Sequence, residues 1–273
     1  MVGQGERMWA VGGRSVMGAS HVDFRIPNQD AIAWGPREGR GPAVVLAAAD
    51  GHGASVHFRS GVGAHIAVDV ATKVLAEEIT DPAWMAATDA SRLLAIKRRI
   101  VAGWREQVLA DVATRPLERS AGRASDPFLP YGTTLVAAAV AGQAIVLLQI
   151  GDGDLLLGMA DGTMVRPLPS DEGLVGEQTY SLCQPDAEAR MRARIFAASD
   201  GDCDFIMLST DGLSKSLRDE SAFRELASFW RKTVAAEGLI PVTDRLDQWL
   251  SDASRKGSGD DITLGFIARQ DAA

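Results

Sequence analysis

The chain reads as α+β: two antiparallel β-sheets sandwiched between pairs of α-helices, a four-layer α-β-β-α arrangement. Two observations predict this. The elements fall into segregated groups (strands, two long helices, strands, two helices, a last strand) rather than strict β-α-β alternation, and segregation of that kind goes with layered α+β architecture. Acidic signatures also recur in order at the ends of apolar runs: Asn28-Gln29-Asp30, Asp50-Gly51-His52-Gly53, Gly151-Asp152-Gly153-Asp154, Thr210-Asp211-Gly212 and Gly259-Asp260-Asp261. Carboxylates at strand ends can converge on one point in a sandwich of sheets.

Taken in order, residues 8–20 and 30–35 read as short strands flanking a loop. Residues 43–49 are continuously apolar, the pattern of a strand buried on both faces. From 55 to 78 the pattern turns helical, with Phe58, Val62, Ile66, Val70 and Val74 as one apolar stripe. Gly61 and Gly63 lower helix propensity there and would allow close packing against a sheet. A second helix over 89–112, capped by Thr88 or Asp89, places Leu93, Ile96, Ile100, Trp104, Val108 and Val112 on one face. Lys97, Arg98, Arg99 and Arg105 lie mostly away from it and read as a solvated face. Pro116, Pro127 and Pro130 mark 114–130 as a loop. Strands follow at 134–140 and 144–150, joined by a Gly-containing turn, then at 154–159 and 163–166 around a turn at Asp161-Gly162. Residues 167–203 are irregular, with Asp200-Gly201 read as another turn. A buried strand at 205–209, helices at 219–236 and 242–255 and a strand at 262–268 complete a single domain over 1–273 without internal repeat or linker.

At 273 residues, 46% hydrophobic and 23% charged, the chain can bury a sizeable core. A formal net charge of -8 argues against nucleic-acid binding, which calls for a basic patch. The first thirteen residues carry no apolar leader segment. The most apolar stretch, 135–150, is broken by Ala141-Gly142-Gln143 and falls short of the about 18 to 20 residues of a membrane span. Cys183 and Cys203 cannot form a disulfide framework, and a reduced, cytoplasmic setting is the simpler expectation.

Several carboxylates meeting without obvious basic counter-ions is costly, and hard divalent cations, which prefer oxygen ligands, resolve the cost. Other chemistries find less support. At the place where a cysteine phosphatase carries its arginine, Cys183 leads to Ala189 and Cys203 to Ser209. Phe205 stands where a calcium loop beginning at Asp200 would need glycine. No nucleophile elbow and no Walker A loop is present. A lone Asp-Gly is usually a turn, so the signatures persuade as an ordered set.

That set resembles the metal-dependent protein phosphatase (PPM), or protein phosphatase 2C, family in its bacterial single-domain form, over about residues 12–268. Asp50-Gly51-His52-Gly53 is similar to the family's DGHGG element, with Ala54 in place of its last glycine. Tyr131-Gly132-Thr133-Thr134, Gly151-Asp152, Ser209-Thr210-Asp211-Gly212 and Gly259-Asp260-Asp261-Ile262-Thr263 resemble its remaining elements, Asp261 standing where Asn is usual. The resemblance implies a binuclear Mg²⁺ or Mn²⁺ centre. Asp50 would bridge two ions and the Gly51 carbonyl would ligate one. Asp211 and Asp260 would hold the first ion, with Asp261 the competing candidate. Asp30 would contact the centre directly or through water, and Asp152 would serve a third, weaker ion shared with Asp211. Gln29 replaces an acidic residue, which removes a negative charge near the second ion. Arg25 precedes Asp30 at the spacing of the family's phosphate-binding arginine; its bland reading is a surface arginine.

The implied activity is hydrolysis of phosphoserine and phosphothreonine in proteins by a metal-activated water. The poor leaving alkoxide needs a proton, and His52 is the candidate general acid, against the bland reading of a structural histidine. His21, His57 and His65 have no ligand-like spacing, and Asp154 reads as a strand-end residue. Expected partners are phosphoproteins of a serine/threonine kinase, with no nucleic acid and no membrane, and the chain is expected to be monomeric. Residues 167–203 fall where the family carries a variable flap. The alternative is a catalytically weak phosphoprotein-binding module of the same fold, motivated by Gln29 and Ala54; a phosphatase of small metabolites has no sequence feature in its favour.

Overall fold

A computed structural model describes residues 8–80, 90–117, 126–142, 144–169, 179–197 and 203–270. The strands are β1 (Met8–Val16), β2 (Ala31–Gly35), β3 (Arg40–Gly41), β4 (Ala43–Ala49), β5 (Leu135–Ala141), β6 (Ala144–Ile150), β7 (Asp154–Met159), β8 (Met164–Val165), β9 (Arg192–Ala197), β10 (Cys203–Ser209) and β11 (Ile262–Gln270). The helices are α1 (Ala19–Phe24), α2 (Ser60–Ile79), α3 (Ala90–Thr114), α4 (Ala187–Arg190), α5 (Asp211–Ser214), α6 (Glu220–Glu237) and α7 (Leu239–Lys256).

The strands form two sheets, ordered β3-β1-β11-β10-β7-β8 and β2-β4-β5-β6-β9, and every pairing is antiparallel. Period-two alternation explains the layers. In β4, Val45, Ala47 and Ala49 face a core shared with Ala67, Ala71 and Leu75 of α2 and Ile100 and Trp104 of α3. Val44, Leu46 and Ala48 of the same strand face Trp9, Val11, Ile206 and Ile267 of the other sheet. That sheet turns Met207 and Phe266 outward onto Phe223 and Trp230 of α6 and Leu246 and Leu250 of α7. The four layers α-β-β-α are therefore present, with the sheet-to-sheet core in the middle.

Register brings the acidic signatures to one edge. Ala31 pairs with Ala49 and Leu135 with Ile150, which places Asp30, Asp50, Thr134 and Gly151 at the same end of one sheet. Ser209 pairs with Asp154 and Val16 with Ile262, which does the same for Asp211 and Asp260 in the other.

Four expectations are corrected. The strand expected over 8–20 stops at Val16, and helix α1 follows where Gly18 gives way to a short polar-apolar turn. The stripe Phe58, Val62, Ile66, Val70 and Val74 is not the sheet face of α2. Phe58 is exposed, and the buried face is Gly63, Ala64, Ala67, Val68, Ala71, Val74 and Leu75, because small side chains let the helix approach the alanine-rich strands closely. Gly63 meets the 3₁₀ turn Leu129–Tyr131 rather than a sheet: a Cβ there would lie 2.0 Å from the Tyr131 carbonyl oxygen. Within 167–203, α4 and β9 are regular elements. The turn at Asp161-Gly162 is present, Gly162 having φ 91 and Asp161 Oδ1 accepting from Thr163 N at 2.9 Å. Thr88, Asp89 and the Asp200-Gly201 turn lie outside the described residues.

Candidate metal centre

A cavity of about 580 Å³ opens at the acidic edge, and Asp50, Asp152, Asp211 and Asp260 all line it. The backbone of Asp50 is clamped by the strand entry opposite: its N–H donates to Thr134 Oγ1 at 3.1 Å, and its carbonyl accepts from Thr134 N at 2.9 Å and Thr133 Oγ1 at 2.8 Å. This explains why two threonines open β5. Gly51 is buried, and a Cβ there would lie 2.7 Å from the Gln29 carbonyl oxygen, so no larger residue fits. Asp211 opens α5, and the loop behind it is held by Ser216 Oγ and Ser258 Oγ, both donating to the Gly212 carbonyl, at 2.7 and 3.0 Å.

Asp30 is buried at 3% exposure and stands behind the cavity rather than on its wall. Its Oδ2 accepts from Thr210 Oγ1 and Thr263 Oγ1, each at 2.7 Å. Asp261 is equally buried and does not line the cavity. It accepts from Gly18 N at 2.6 Å and Gln29 N at 2.7 Å, and His21 Nδ1 lies 2.9 Å from Oδ2. It thus fastens the 18–29 segment to β11, leaving Asp260 as the cavity residue of the pair. Gln29 Nε2 donates to Ser60 Oγ at 2.8 Å.

The electrostatics record the crowding. Burial, then repulsion from Asp30, Asp211, Asp260 and Asp152, pushes the Asp50 carboxyl well above its usual range. Burial likewise raises Asp30, against the two threonine hydrogen bonds, which favour its ionised form. Asp152 is raised by desolvation and then by Asp211. Asp211 Oδ1 is buried without a hydrogen-bond partner. An orphaned carboxylate oxygen among mutually repelling carboxylates fits a hard divalent cation with oxygen ligands. Among the described residues, only His21, Asp260 and Asp261 bring three ligand-type atoms within 4.8 Å of one another, and Asp261 is already committed to backbone N–H groups.

His52 lines the cavity beside His57, ring centroids 5.0 Å apart. Gly132 makes room for both: a Cβ there would lie 2.5 Å from His57 Nδ1 and 2.9 Å from His52 Cδ2. Burial and then His57 pull the His52 imidazole down to about 4, with Asp152 opposing. Arg25 is exposed at the end of α1 with a left-handed φ of 57, and it does not line the cavity. Asp154 heads β7 and is ion-paired with Arg166 at 2.6 Å. One wall of the cavity is Thr179, Ser181, Cys183 and Gln184.

Sequence reasoning did not find Lys215, whose Nζ lies 2.6 Å from Asp211 Oδ2 on the cavity rim, nor the cavity position of His57. The four-residue spacing from Asp211 to Lys215 was the available signal for the first. Cys183 and Cys203 are free and buried. Among the described residues no helix is long and apolar enough to cross a membrane.

The protein phosphatase 2C family model matches residues 17–251. Among solved structures, the chain is similar to the catalytic domain of the serine threonine protein phosphatase PstP in complex with two manganese ions, with TM-score 0.60, 22% identity and coverage of 97% of this chain and 100% of that one. It is similar also to Mycobacterium tuberculosis PstP/Ppp (TM-score 0.59, 20% identity, 96% and 98% covered) and to the S. agalactiae serine/threonine phosphatase (TM-score 0.55, 18% identity, 95% and 99% covered). No curated protein matches the chain. The structural likeness shows a shared fold, and the family match spans the acidic edge from Asp30 to Asp211, so the chain belongs to the protein phosphatase 2C family and with it to the protein serine/threonine phosphatases.

Proposed function

We propose that this chain hydrolyses phosphoserine and phosphothreonine in proteins at a binuclear Mg²⁺ or Mn²⁺ centre. The observation that carries the reading is the cavity on which Asp50, Asp152, Asp211 and Asp260 converge, with one oxygen of Asp211 left unpartnered. Asp50 and the Gly51 carbonyl would hold the ions together with Asp211 and Asp260, Asp30 would contact the centre directly or through water, and Asp152 with Asp211 would offer a third, weaker position. When bound, the ions neutralise phosphoryl oxygens and lower the pKa of a water that attacks phosphorus. Thr133 and Thr134 fix the Asp50 backbone, and Thr210 and Thr263 fix the Asp30 carboxylate. His52 stands on the cavity wall where it can hold the proton for the leaving alkoxide. Arg25 makes no ion pair or side-chain hydrogen bond among the described residues, so its guanidinium is available to an incoming phosphate.

The test is hydrolysis of a phosphothreonine peptide in EDTA, Mg²⁺ and Mn²⁺, with Asp50→Asn beside the parent. Metal-dependent turnover in the parent and a loss of about 10²-fold or more in the variant is the expected result. No turnover from folded parent under any metal would sink it. A second reading, a catalytically weak phosphoprotein-binding module, rests on Gln29, whose amide is committed to Ser60 instead of adding charge near the second ion; tight phosphopeptide binding without turnover in saturating Mn²⁺ would favour it. In the leading reading the protein acts as a cytoplasmic monomer opposing a serine/threonine kinase. The 179–184 wall would then select among substrates: exchanging it should alter peptide preference, and an unchanged preference would rule that out.

A further inference from the structure

Lys215 lies one helical turn beyond Asp211, at the C-terminal end of α5, so its side chain folds back over the cavity rim. Its Nζ lies 2.6 Å from Asp211 Oδ2; the Lys215 side chain is 57% exposed and that of Asp211 only 9%. It is the lysine of the cavity wall, facing Asp152 and Asp260 across the same space. We propose that Lys215 is a built-in counter-cation of the acidic centre, which holds Asp211 in the metal-free protein and which a divalent ion must displace to take the same carboxylate oxygen. The inference rests on the reading of Asp211 as a metal ligand.

The chemistry favours displacement over blockade. Asp211 has one oxygen on Lys215 and the other, Oδ1, buried and unpartnered, so an arriving cation meets a carboxylate that is only half neutralised. A dication bonds carboxylate oxygen at about 2.1 Å with twice the charge of an ammonium. The lysine stem is flexible, and its head is already in contact with water, so release costs little. The result is an apparent metal affinity lower than the carboxylates alone would set, and a metal-free state less burdened by repulsion.

The test is a calorimetric Mn²⁺ titration of the parent, Lys215→Gln and Lys215→Arg, in the absence of any phosphorylated substrate. Lys215→Gln should bind Mn²⁺ about two- to fivefold more tightly, the range that removal of one largely exposed charge partner produces. Its metal-free melting temperature should fall, and Lys215→Arg should bind no more tightly than the parent. Weaker Mn²⁺ binding by Lys215→Gln would overturn the proposal, since Lys215 would then be helping to hold the loaded site. Unchanged Mn²⁺ binding with weaker inhibition by inorganic phosphate would overturn it in favour of a substrate contact. If the parent bound no Mn²⁺ at all, the metal reading itself would fall with it, whereas equal binding by parent and variant removes this proposal alone.

Discussion

At His52 the surroundings oppose the role of proton donor. With its imidazole pulled down to about 4 by burial and by His57, only about one molecule in a thousand carries the imidazolium at pH 7. A well-matched general acid contributes about 10²–10⁴-fold, and a donor this far from neutrality delivers less. His52→Gln should therefore lower kcat by about tenfold at pH 7, and the parent-to-variant ratio should grow as pH falls toward 5, because protonation of the imidazole increases in that direction. Rate profiles in saturating Mn²⁺ would show it; a ratio that is flat or grows with pH would assign the proton to another group, His57 being the neighbour on the same wall. The cavity carboxylates Asp50, Asp152, Asp211 and Asp260 were legible in the sequence because each lies within two residues of a strand end, beside a glycine that the close packing demands. The choice of Asp260 over Asp261 was legible only as a preference, since two adjacent carboxylates look alike until Gly18 and Gln29 are seen to claim one of them. Thr210 and Thr263 were visible as letters of the motifs, but their shared acceptor, Asp30, lies far away along the chain.

Among the elements, α2 shows how tightly the scaffold holds the centre. The Gly63 Cα faces the Tyr131 carbonyl, and Trp104 Nε1 donates to the Gly63 carbonyl at 3.0 Å, so helix, 3₁₀ turn and α3 meet at one point. Gly63→Ala would place Cβ 2.0 Å from that oxygen and must push the turn away. The expected cost is about 2–3 kcal/mol, seen as a fall of roughly 4–10 °C in melting temperature. Because the residues just after Tyr131 clamp Asp50, turnover should fall as well. Gly61→Ala, whose Cβ would find its nearest atoms at 3.4 Å, should be nearly silent in both readouts. Equal behaviour of the two variants would refute the close-approach argument. The long elements were readable from periodicity, α3 and α6 to within a residue or two of their ends. The short ones, α1, α4 and α5, span too few residues to show a period, and in β9 the alternation of Arg192 and Arg194 with Ala193 and Ile195 covers only four residues. In α2 the stripe residues Val62, Ile66 and Val70 flank the core, whereas Ala64, Ala67, Val68, Ala71, Val74 and Leu75 fill it where the helix approaches the alanine-rich strands.

At the scale of the molecule, an acidic chain of net charge -8 buries several carboxylates at one edge, where stability is sensitive to their ionisation. The folded-state pKa values of Asp30, Asp50 and Asp152 lie above their ordinary value near 3.8, so folding disfavours their ionised forms. Their contribution to stability is fully present below that value and is lost as pH rises through the folded-state pKa, the reverse of an ordinary salt-bridged carboxylate. His52, lowered, runs oppositely, its contribution being present above about 6.5 and lost as pH falls toward 4, so it masks part of the slope between those limits. Comparing Asp50→Asn with the parent isolates the carboxylate. In metal-free solution the variant should be the more stable at pH 7.5, by about 1–2 kcal/mol or roughly 2–8 °C, with the difference shrinking as pH approaches 4. Mn²⁺ at about a hundred times its Kd should add about 2.7 kcal/mol to the parent, and distinctly less to the variant, which lacks the Asp50 carboxylate. Thermal melts across pH, with and without Mn²⁺, separate the two effects. A variant less stable than the parent at pH 7.5 without metal would mean that Asp50 is held by favourable contacts rather than confined against repulsion, and the case for a cation at this edge would lose its electrostatic half.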